Sequence, residues 1–383
     1  MKFIHTSDWH IGRQFHHVSL LEDQAHILAQ IVAYARAEAV DALLIAGDIY
    51  DRAIPPTAAV EQVDEVLHTL CVELGIPVLL IAGNHDSAVR LGFGARQLAH
   101  SRLHILGLSA EPEAVLLDDG QGPVAFYGLP YSDPVLIRDR YQAEVSSHDQ
   151  AMGWLCQRLH QHRRDQGYRR SVLLSHCFIG GATVCDSERP LSVGGSEQVG
   201  TAHFDGFDYV ALGHLHGAQY RDRPTLRYSG SPLKYSFSEV SHHKSVTLVE
   251  MDANGHCELR ALPLTPRHEL RILDGALAEL LQQAPDANDP SRNDYILARL
   301  SDSGALLDPM HKLRQVYPNL LALERTGLLQ TQAAGTQRPR PDRQHNELAM
   351  FRDFYQQLQG ETLTPAQEQA LSELLDDLNR SYA

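Results

Sequence analysis

The chain has 383 residues, 43% of them hydrophobic and 21% charged; that composition is ordinary for a globular protein and excludes disordered and fibrous classes. Its formal charge of −15 opposes non-specific nucleic-acid binding, which works mainly by neutralising phosphates with Lys and Arg. A DNA substrate would therefore need a partner to supply much of the affinity.

The length suggests roughly two or three domains. Met1-Lys2-Phe3-Ile4-His5-Thr6 lacks the apolar core of a signal peptide, and no run approaches the roughly 18 apolar residues of a membrane span. Cys71, Cys156, Cys177, Cys185 and Cys257 are odd in number and widely spaced, unlike a disulfide framework or a zinc ribbon. A reduced, cytoplasmic protein with no membrane contact is expected.

In chain order, Lys2 to Thr6 reads as a strand leading into Ser7-Asp8-Trp9-His10. Glu22 to Glu38 carries Ile27, Leu28, Ile31, Val32 and Ala35 at helical spacing. The strand Val40 to Ala46 follows and ends in Gly47-Asp48-Ile49-Tyr50-Asp51. Pro55-Pro56-Thr57 opens a helix with Val60, Val63, Leu67, Leu70 and Leu74 on one side, stopped at Gly75. Ile76 to Ala82 is the next strand and leads into Gly83-Asn84-His85-Asp86. This β-α-β-α-β alternation predicts parallel strands with right-handed crossovers.

A strand at Val124 to Leu129 and a helix from about Asp149 to Arg163 come next. Short strands Val172 to Ser175, before His176, and Tyr209 to Leu212, before Gly213-His214-Leu215-His216, bracket a Gly-rich polar loop, Gly180 to Gly200. Thr225 to Ser229 and Ser245 to Met251 alternate like antiparallel strands. The fold expected for residues 1–262 is a layered α/β sandwich.

Beyond the Pro-containing link 263–266, residues 267–329 read as a small α+β domain: a helix near Asp274 to Gln283, a strand at Tyr295 to Leu300, a helix near Asp308 to Val316 and a strand at Leu320 to Glu324. Residues 330–345, rich in Gln, Pro, Arg and Gly, read as a linker. A helical hairpin closes the chain over residues 346–383. Its first helix carries Leu348, Phe351, Phe354, Tyr355 and Leu358 along one side. Its second follows the capping pattern Thr364-Pro365-Ala366-Gln367 with Leu371, Leu374, Leu375 and Leu378. Such a hairpin either folds back on its own domains or docks on another protein.

Five strands thus end in metal-ligand residue types, at the edge where open α/β sheets bind ligands. Asp8-x-His10 puts two side chains on one side of an extended backbone, and His214-x-His216 offers a second pair. Asn84 and His176 add an amide oxygen and an imidazole, and Asp48 is placed to share its carboxylate between two ions. Singly, each of these residues is as well explained as a hydrogen-bonded core or surface group. Together, Asp8, His10, Asp48, Asn84, His176, His214 and His216 describe a dinuclear site of the two-metal phosphoryl-transfer kind, with a mixed N/O set suited to Mn, Fe or Zn. His85 is placed beside the site to touch a substrate oxygen, and Asp86 to orient its ring, unless Asp86 is only a turn residue. Asp51 reads as a supporting group. His5, His16, His17, His242 and His243 read as ordinary surface histidines. Arg13, Arg52 and Arg90 are candidates for DNA contact or for bracing a carboxylate.

In order and residue type, Asp8-x-His10, Gly47-Asp48-x-x-Asp51, Gly83-Asn84-His85-Asp86, His176 and Gly213-His214-x-His216 resemble the five motifs of the calcineurin-like metallophosphoesterase superfamily. Ser7 to Arg13, His85-Asp86-Ser87, Tyr228-Ser229-Gly230-Ser231-Pro232, Asp308-Pro309-Met310 and Leu313 to Pro318 extend the likeness to DNA nucleases of that superfamily. The resemblance implies an α/β-β/α sandwich and two divalent ions, Mn²⁺ in type. Asp8, His10, Asp48 and His216 would hold one ion, and Asp48, Asn84, His176 and His214 the other, with His85 as the catalytic histidine. It also implies 3′-5′ double-strand exonuclease and single-strand or hairpin endonuclease activity, in a complex with an ATPase of the structural-maintenance-of-chromosomes type. In that complex 267–329 would cap DNA access, the C-terminal helices would hold the ATPase, and the chain would be a homodimer within a heterotetramer. The alternative is a small-molecule phosphodiesterase or phosphatase on the same fold.

Overall fold

The computed structural model describes residues 1–188, 197–286, 288–304, 306–326, 351–352, 354–356 and 361–381. It divides into two compact units, Met1–Arg267 and His268–Ala383.

The first unit is built on two six-stranded sheets. In chain order its main elements are β1 (Lys2–Thr6), α1 (Leu21–Ala37), β2 (Ala42–Ala46), α2 (Thr57–His68), β3 (Val78–Ile81), β4 (Leu103–Leu106), β5 (Val115–Asp118), β6 (Pro123–Leu129), α3 (His148–Gln166), β7 (Arg170–His176), β8 (Tyr209–Gly213), β9 (Gln219–Arg221), β10 (Arg223–Tyr228), β11 (Ser245–Met251) and β12 (Cys257–Pro263). One sheet runs β12-β11-β1-β2-β3-β4 and the other β9-β10-β8-β7-β6-β5. In the first, β1, β2, β3 and β4 are parallel. In the second, β6, β7, β8 and β10 are parallel. The crossovers predicted between β1, β2 and β3 are the helices α1 and α2, the latter finishing in a π-helical turn, Thr69–Glu73. The strand expected around Thr225 differs from its predicted antiparallel pattern, since β10 is parallel to β8 and antiparallel only to the short β9.

Strands buried on both faces read as continuous apolar runs, and the alternation of side chains explains where each residue goes. Phe3, Leu44, Leu79, Val124, Phe126, Val172, Leu174 and Tyr209 fill the layer between the sheets. Tyr127, Leu173 and Val210, one step along the same strands, face α3 through Met152, Leu155 and Leu159. A parallel sheet sandwiched this way presents all its parallel C-terminal ends along one edge, and that edge carries the site.

The second unit contains β13 (Leu270–Gly275), α4 (Leu277–Gln282), β14 (Tyr295–Leu300), α5 (Pro309–Arg314) and β15 (Leu320–Arg325). All three strands are parallel, in the order β13-β14-β15. The small domain is thus a β-α-β-α-β unit, where α+β was expected. The expected helix near Asp274 begins three residues later, because Leu270 to Gly275 pairs with β14, and charges at Arg271 and Asp274 hide its strand pattern. Leu277, Leu280, Ile296, Ala298, Leu313 and Tyr317 form its core.

α6 (Pro365–Ser381) ends the described chain. Its capping box is formed: Gln367 N donates to Thr364 Oγ1 at 3.4 Å and Thr364 N to Gln367 Oε1 at 2.9 Å. Helical residues just upstream meet it through an Arg352–Glu368 ion pair and a bond from Gln367 to the Tyr355 hydroxyl. Phe351, Phe354 and Leu374 are exposed, and Tyr355, Leu371 and Leu375 half-buried. Leu348, Leu358, the 330–345 stretch and the side chain of Leu378 lie outside the described residues. No described helix is long and apolar enough to cross a membrane.

Candidate metal centre

The loops after β1, β2, β3 and β8, with the last residue of β7, bring all seven proposed ligands together. Asp8 N donates to the Gly47 carbonyl at 3.0 Å and His10 N to the Asp48 carbonyl at 2.9 Å, so the first two loops run zipped side by side. Asp8, His10, Asp48 and His214 hold φ values of 54°, 46°, 52° and 109°, a region that non-glycine residues enter at a cost and that clusters at functional sites. The glycines beside them answer to space, and Gly47, at φ 92°, also to its left-handed backbone. A methyl group on Gly83 would overlap the Asp48 carboxylate, one on Gly47 the His176 ring, and one on Gly213 the Ala46 carbonyl.

Asp8, His10, Asp48, His176, His214 and His216 are buried, while Asn84 and His85 are half-buried and form the open side. Asp48 Oδ2 is 3.6 Å from both His10 Nε2 and His176 Nε2. His10 Nε2 faces His216 Nε2 at 3.1 Å. Asn84 Oδ1 lies 2.9 Å from His176 Nε2 and 3.2 Å from His214 Nδ1. Two groups that could each grip a cation follow from these distances, Asp8/His10/His216 and Asp8/Asp48/His176. A third, His10/Asp51/His85, adds a carboxylate that sequence reasoning gave only a supporting role.

The chemistry of the donors fits cations. His176 Nδ1 is held 2.9 Å from the Ala46 carbonyl, which fixes the proton there and leaves the Nε2 lone pair facing the Asn84 oxygen. Two lone pairs meeting in a buried site repel each other unless a cation sits between them. Burial, then the Asp48 charge, drives the Asp8 carboxyl well above its usual range, and burial foremost lifts Asp48 to about 7. Burial pushes His176 and His216 down to about 4, and burial followed by neighbouring imidazoles pushes His10 and His214 well down. Neutral imidazoles around two strained carboxylates are the state that divalent ions relieve.

His85 stands at the rim with its Nδ1 2.8 Å from the Asp51 carbonyl, its ring 4.6 Å from that of His10, and its backbone N donating to Asp48 Oδ1 at 2.8 Å. Asp86 does not orient this ring. Its carboxylate accepts from the backbone N–H groups of Ile49, Tyr50 and Gly83 at 3.1, 3.0 and 2.9 Å. Those amides sit at the sharp exits of β2 and β3, so Asp86 staples two ligand loops and the Asp51 carbonyl does the orienting. Arg13 resolves to a brace: it lies 3.4 Å from Asp51, donates to the Ser187 carbonyl, and stacks over Tyr235. Arg90 donates to the Ala53 carbonyl, and Arg52 is exposed beside Asp51. His5 is a core residue and not a surface one, bonded to the Tyr209 hydroxyl and the Leu212 carbonyl.

Sequence reading missed Ser187, Glu188, Glu239 and Lys244, which surround His216. They sit in irregular segments without periodicity. The one signal nearby is Ser229-Gly230-Ser231, whose Gly230 has φ 82° and would meet the His216 carbonyl if it carried a methyl group.

The family model of the calcineurin-like phosphoesterases matches residues 1–218, more than half the chain and all seven candidate ligands. The SbcD nuclease component of SbcCD from Staphylococcus epidermidis is 33% identical over 326 residues, covering 84% of this chain and 85% of that protein. The chain belongs to the SbcD family of calcineurin-like phosphoesterases. A second model, described as the type 5 capsule protein repressor C-terminal domain, matches residues 266–359, which takes the matched stretch into the second unit but short of α6. The crystal structure of TT1561 of Thermus thermophilus is 13% identical, with a TM-score of 0.39 over 68% of this chain and 98% of that one.

Proposed function

We propose that this SbcD-family chain is the metal-dependent DNA nuclease subunit of an SbcCD-type complex. The observation that carries the reading is the Asp48 carboxylate oxygen, equidistant at 3.6 Å from His10 and His176 and so placed to bridge two ions. Asp8, His10 and His216 would complete one site, and Asn84, His176 and His214 the other, with manganese as the preferred ion. When bound, such a pair supplies a metal-activated water and charge stabilisation on the phosphoryl oxygens.

The protein's own contribution is geometry. The buried ligands exclude bulk water from one side, and the half-buried Asn84 and His85 leave the other open to a phosphodiester. His85, held through Nδ1 by the Asp51 carbonyl, presents its remaining ring nitrogen to protonate the departing 3′ oxygen or to neutralise a phosphate oxygen. We assign residues 267–329 to control of DNA access and 346–383 to binding an SbcC-type ATPase, through Phe351, Phe354, Tyr355, Leu371, Leu374 and Leu375. The apolar cavity lined by Val60, Val72 and Phe93, which are exposed by 43, 58 and 86%, is the face we assign to a second copy of the chain, since patches of this kind mark protein contacts.

His85→Gln tests the chemistry. Hydrolysis of bis-p-nitrophenyl phosphate with Mn²⁺ is expected to fall by about 10²- to 10⁴-fold, with both ions still bound by calorimetry. Undiminished turnover would remove His85 from the mechanism.

A further inference from the structure

His176 fixes its far ring nitrogen on a carbonyl of a neighbouring strand, but His216 does so through side chains from two loops. Its Nδ1 is 2.7 Å from Ser187 Oγ and 3.5 Å from Glu239 Oε1, and Ser187 Oγ donates to that same carboxylate oxygen at 2.5 Å. Glu239 is fully buried. Its Oε1 also accepts from Tyr235 N at 3.1 Å, and its Oε2 accepts from Lys244 Nζ at 2.5 Å. Lys244 donates further to the His216 carbonyl and to Ser231 Oγ, at 2.8 and 2.9 Å.

The proton count along this chain has one solution. A carboxylate fed by a buried ammonium stays ionised and only accepts, so the single Ser187 proton goes to Glu239. The serine oxygen therefore faces His216 with a lone pair, and His216 Nδ1 must carry the proton. Its Nε2 is left as a lone pair 3.1 Å from His10 Nε2. The loop that supplies Ser187 is tied down on both sides: Glu188 Oε1 accepts from His216 N at 2.6 Å, and Arg13 donates to the Ser187 carbonyl at 3.2 Å.

Resting on the assignment of His216 as a metal ligand, we propose that Ser187 and Glu239 are positioning residues: a serine-bridged carboxylate relay that fixes the metal-binding tautomer of His216 and makes the 183–188 loop part of one ion site. Lys244 keeps the relay's carboxylate charged in a buried setting where it would otherwise be costly. The relay touches His216, which belongs to the Asp8/His10/His216 group and not to Asp8/Asp48/His176, so its loss is selective.

The test is Mn²⁺ titration of the full chain by calorimetry, with the spin coupling of the ion pair read by electron paramagnetic resonance. Ser187→Ala is expected to weaken one of two ions by about 10- to 100-fold, to leave the other at wild-type affinity, and to leave the metal-free melting temperature unchanged. Ser187→Thr, which keeps the hydroxyl, is expected to restore the weakened ion. The paired change Glu239→Gln with Lys244→Met removes both buried charges together and is expected to give the same one-ion loss. Wild-type affinity for both ions in Ser187→Ala, or equal loss at both with a lowered melting temperature, would overturn the relay. A wild-type chain that binds no Mn²⁺ would instead refute the ligand assignment beneath it.

Discussion

The proposed ligand shell is crowded to the point where single methyl groups matter. Gly213 packs against the Ala46 carbonyl, a backbone atom that cannot rotate away. Gly213→Ala is therefore expected to lower stability by about 1 to 3 kcal/mol, as overpacking does, and to weaken Mn²⁺ binding by displacing His214. Thermal melts and metal titration check both, and a variant that binds two ions as wild type does would show the approach to be looser than drawn. Legibility in the sequence follows the same physics. Asp8, His10, Asp48, Asn84, His176, His214 and His216 were legible as candidates for one cluster because each lies one to four residues past the end of an apolar strand run. Asp86 was misread because carboxylates adjacent to a histidine look alike whether they face its ring or the chain; only the loop conformation places the Ile49, Tyr50 and Gly83 amides within its reach. Ser187 and Glu239 act across gaps of 29 and 23 residues from His216, and no local pattern encodes such pairings.

At the level of elements, the two sheets are clasped at the ends of their strands opposite the site. Asp119, in the turn between β5 and β6, takes Arg170 at the start of β7 at 2.6 and 2.8 Å, and also pairs with the Met1 ammonium before β1. Hydrogen bonds from Arg170 foremost hold the Asp119 carboxyl well below the usual carboxylate range. A depressed folded pKa means that the clasp stabilises fully above the unfolded value of about 4 and is lost as pH falls toward the folded one. Arg170→Gln is expected to cost about 3 kcal/mol at pH 7, the low end for a broken buried pair, because Met1 still partners Asp119. The gap in melting temperature from wild type should narrow below about pH 4. A gap that stays constant or widens on acidification would mean that the pair contributes no pH-linked stability. The helices α1 and α2 and the strands β1 to β3 were legible from their periods. The strand β13 was not, since its alternation is broken by Arg271 and Asp274 and its sheet neighbour lies across the α4 helix in sequence.

For the whole molecule, a net charge of −15 opposes DNA binding by the chain alone, which is why the proposed roles of the tail and the apolar face carry as much of the account as the metal centre. Removing Glu347 to Ala383 is expected to abolish binding to the ATPase while leaving hydrolysis of a small phosphodiester intact. Light scattering should find the truncated chain dimeric, since the face of Val60, Val72 and Phe93 is untouched. Retained ATPase binding would refute the tail assignment, and a monomer would refute the dimer face.

The most direct test of the central claim is cleavage of a blunt, end-labelled DNA duplex by the purified chain with Mn²⁺, with and without the co-expressed ATPase and ATP. The account predicts metal-dependent cleavage that partner and ATP strongly raise and that a chelator abolishes. No cleavage under any of these conditions, with a small phosphodiester still hydrolysed, would contradict it and leave a small-molecule phosphodiesterase in its place.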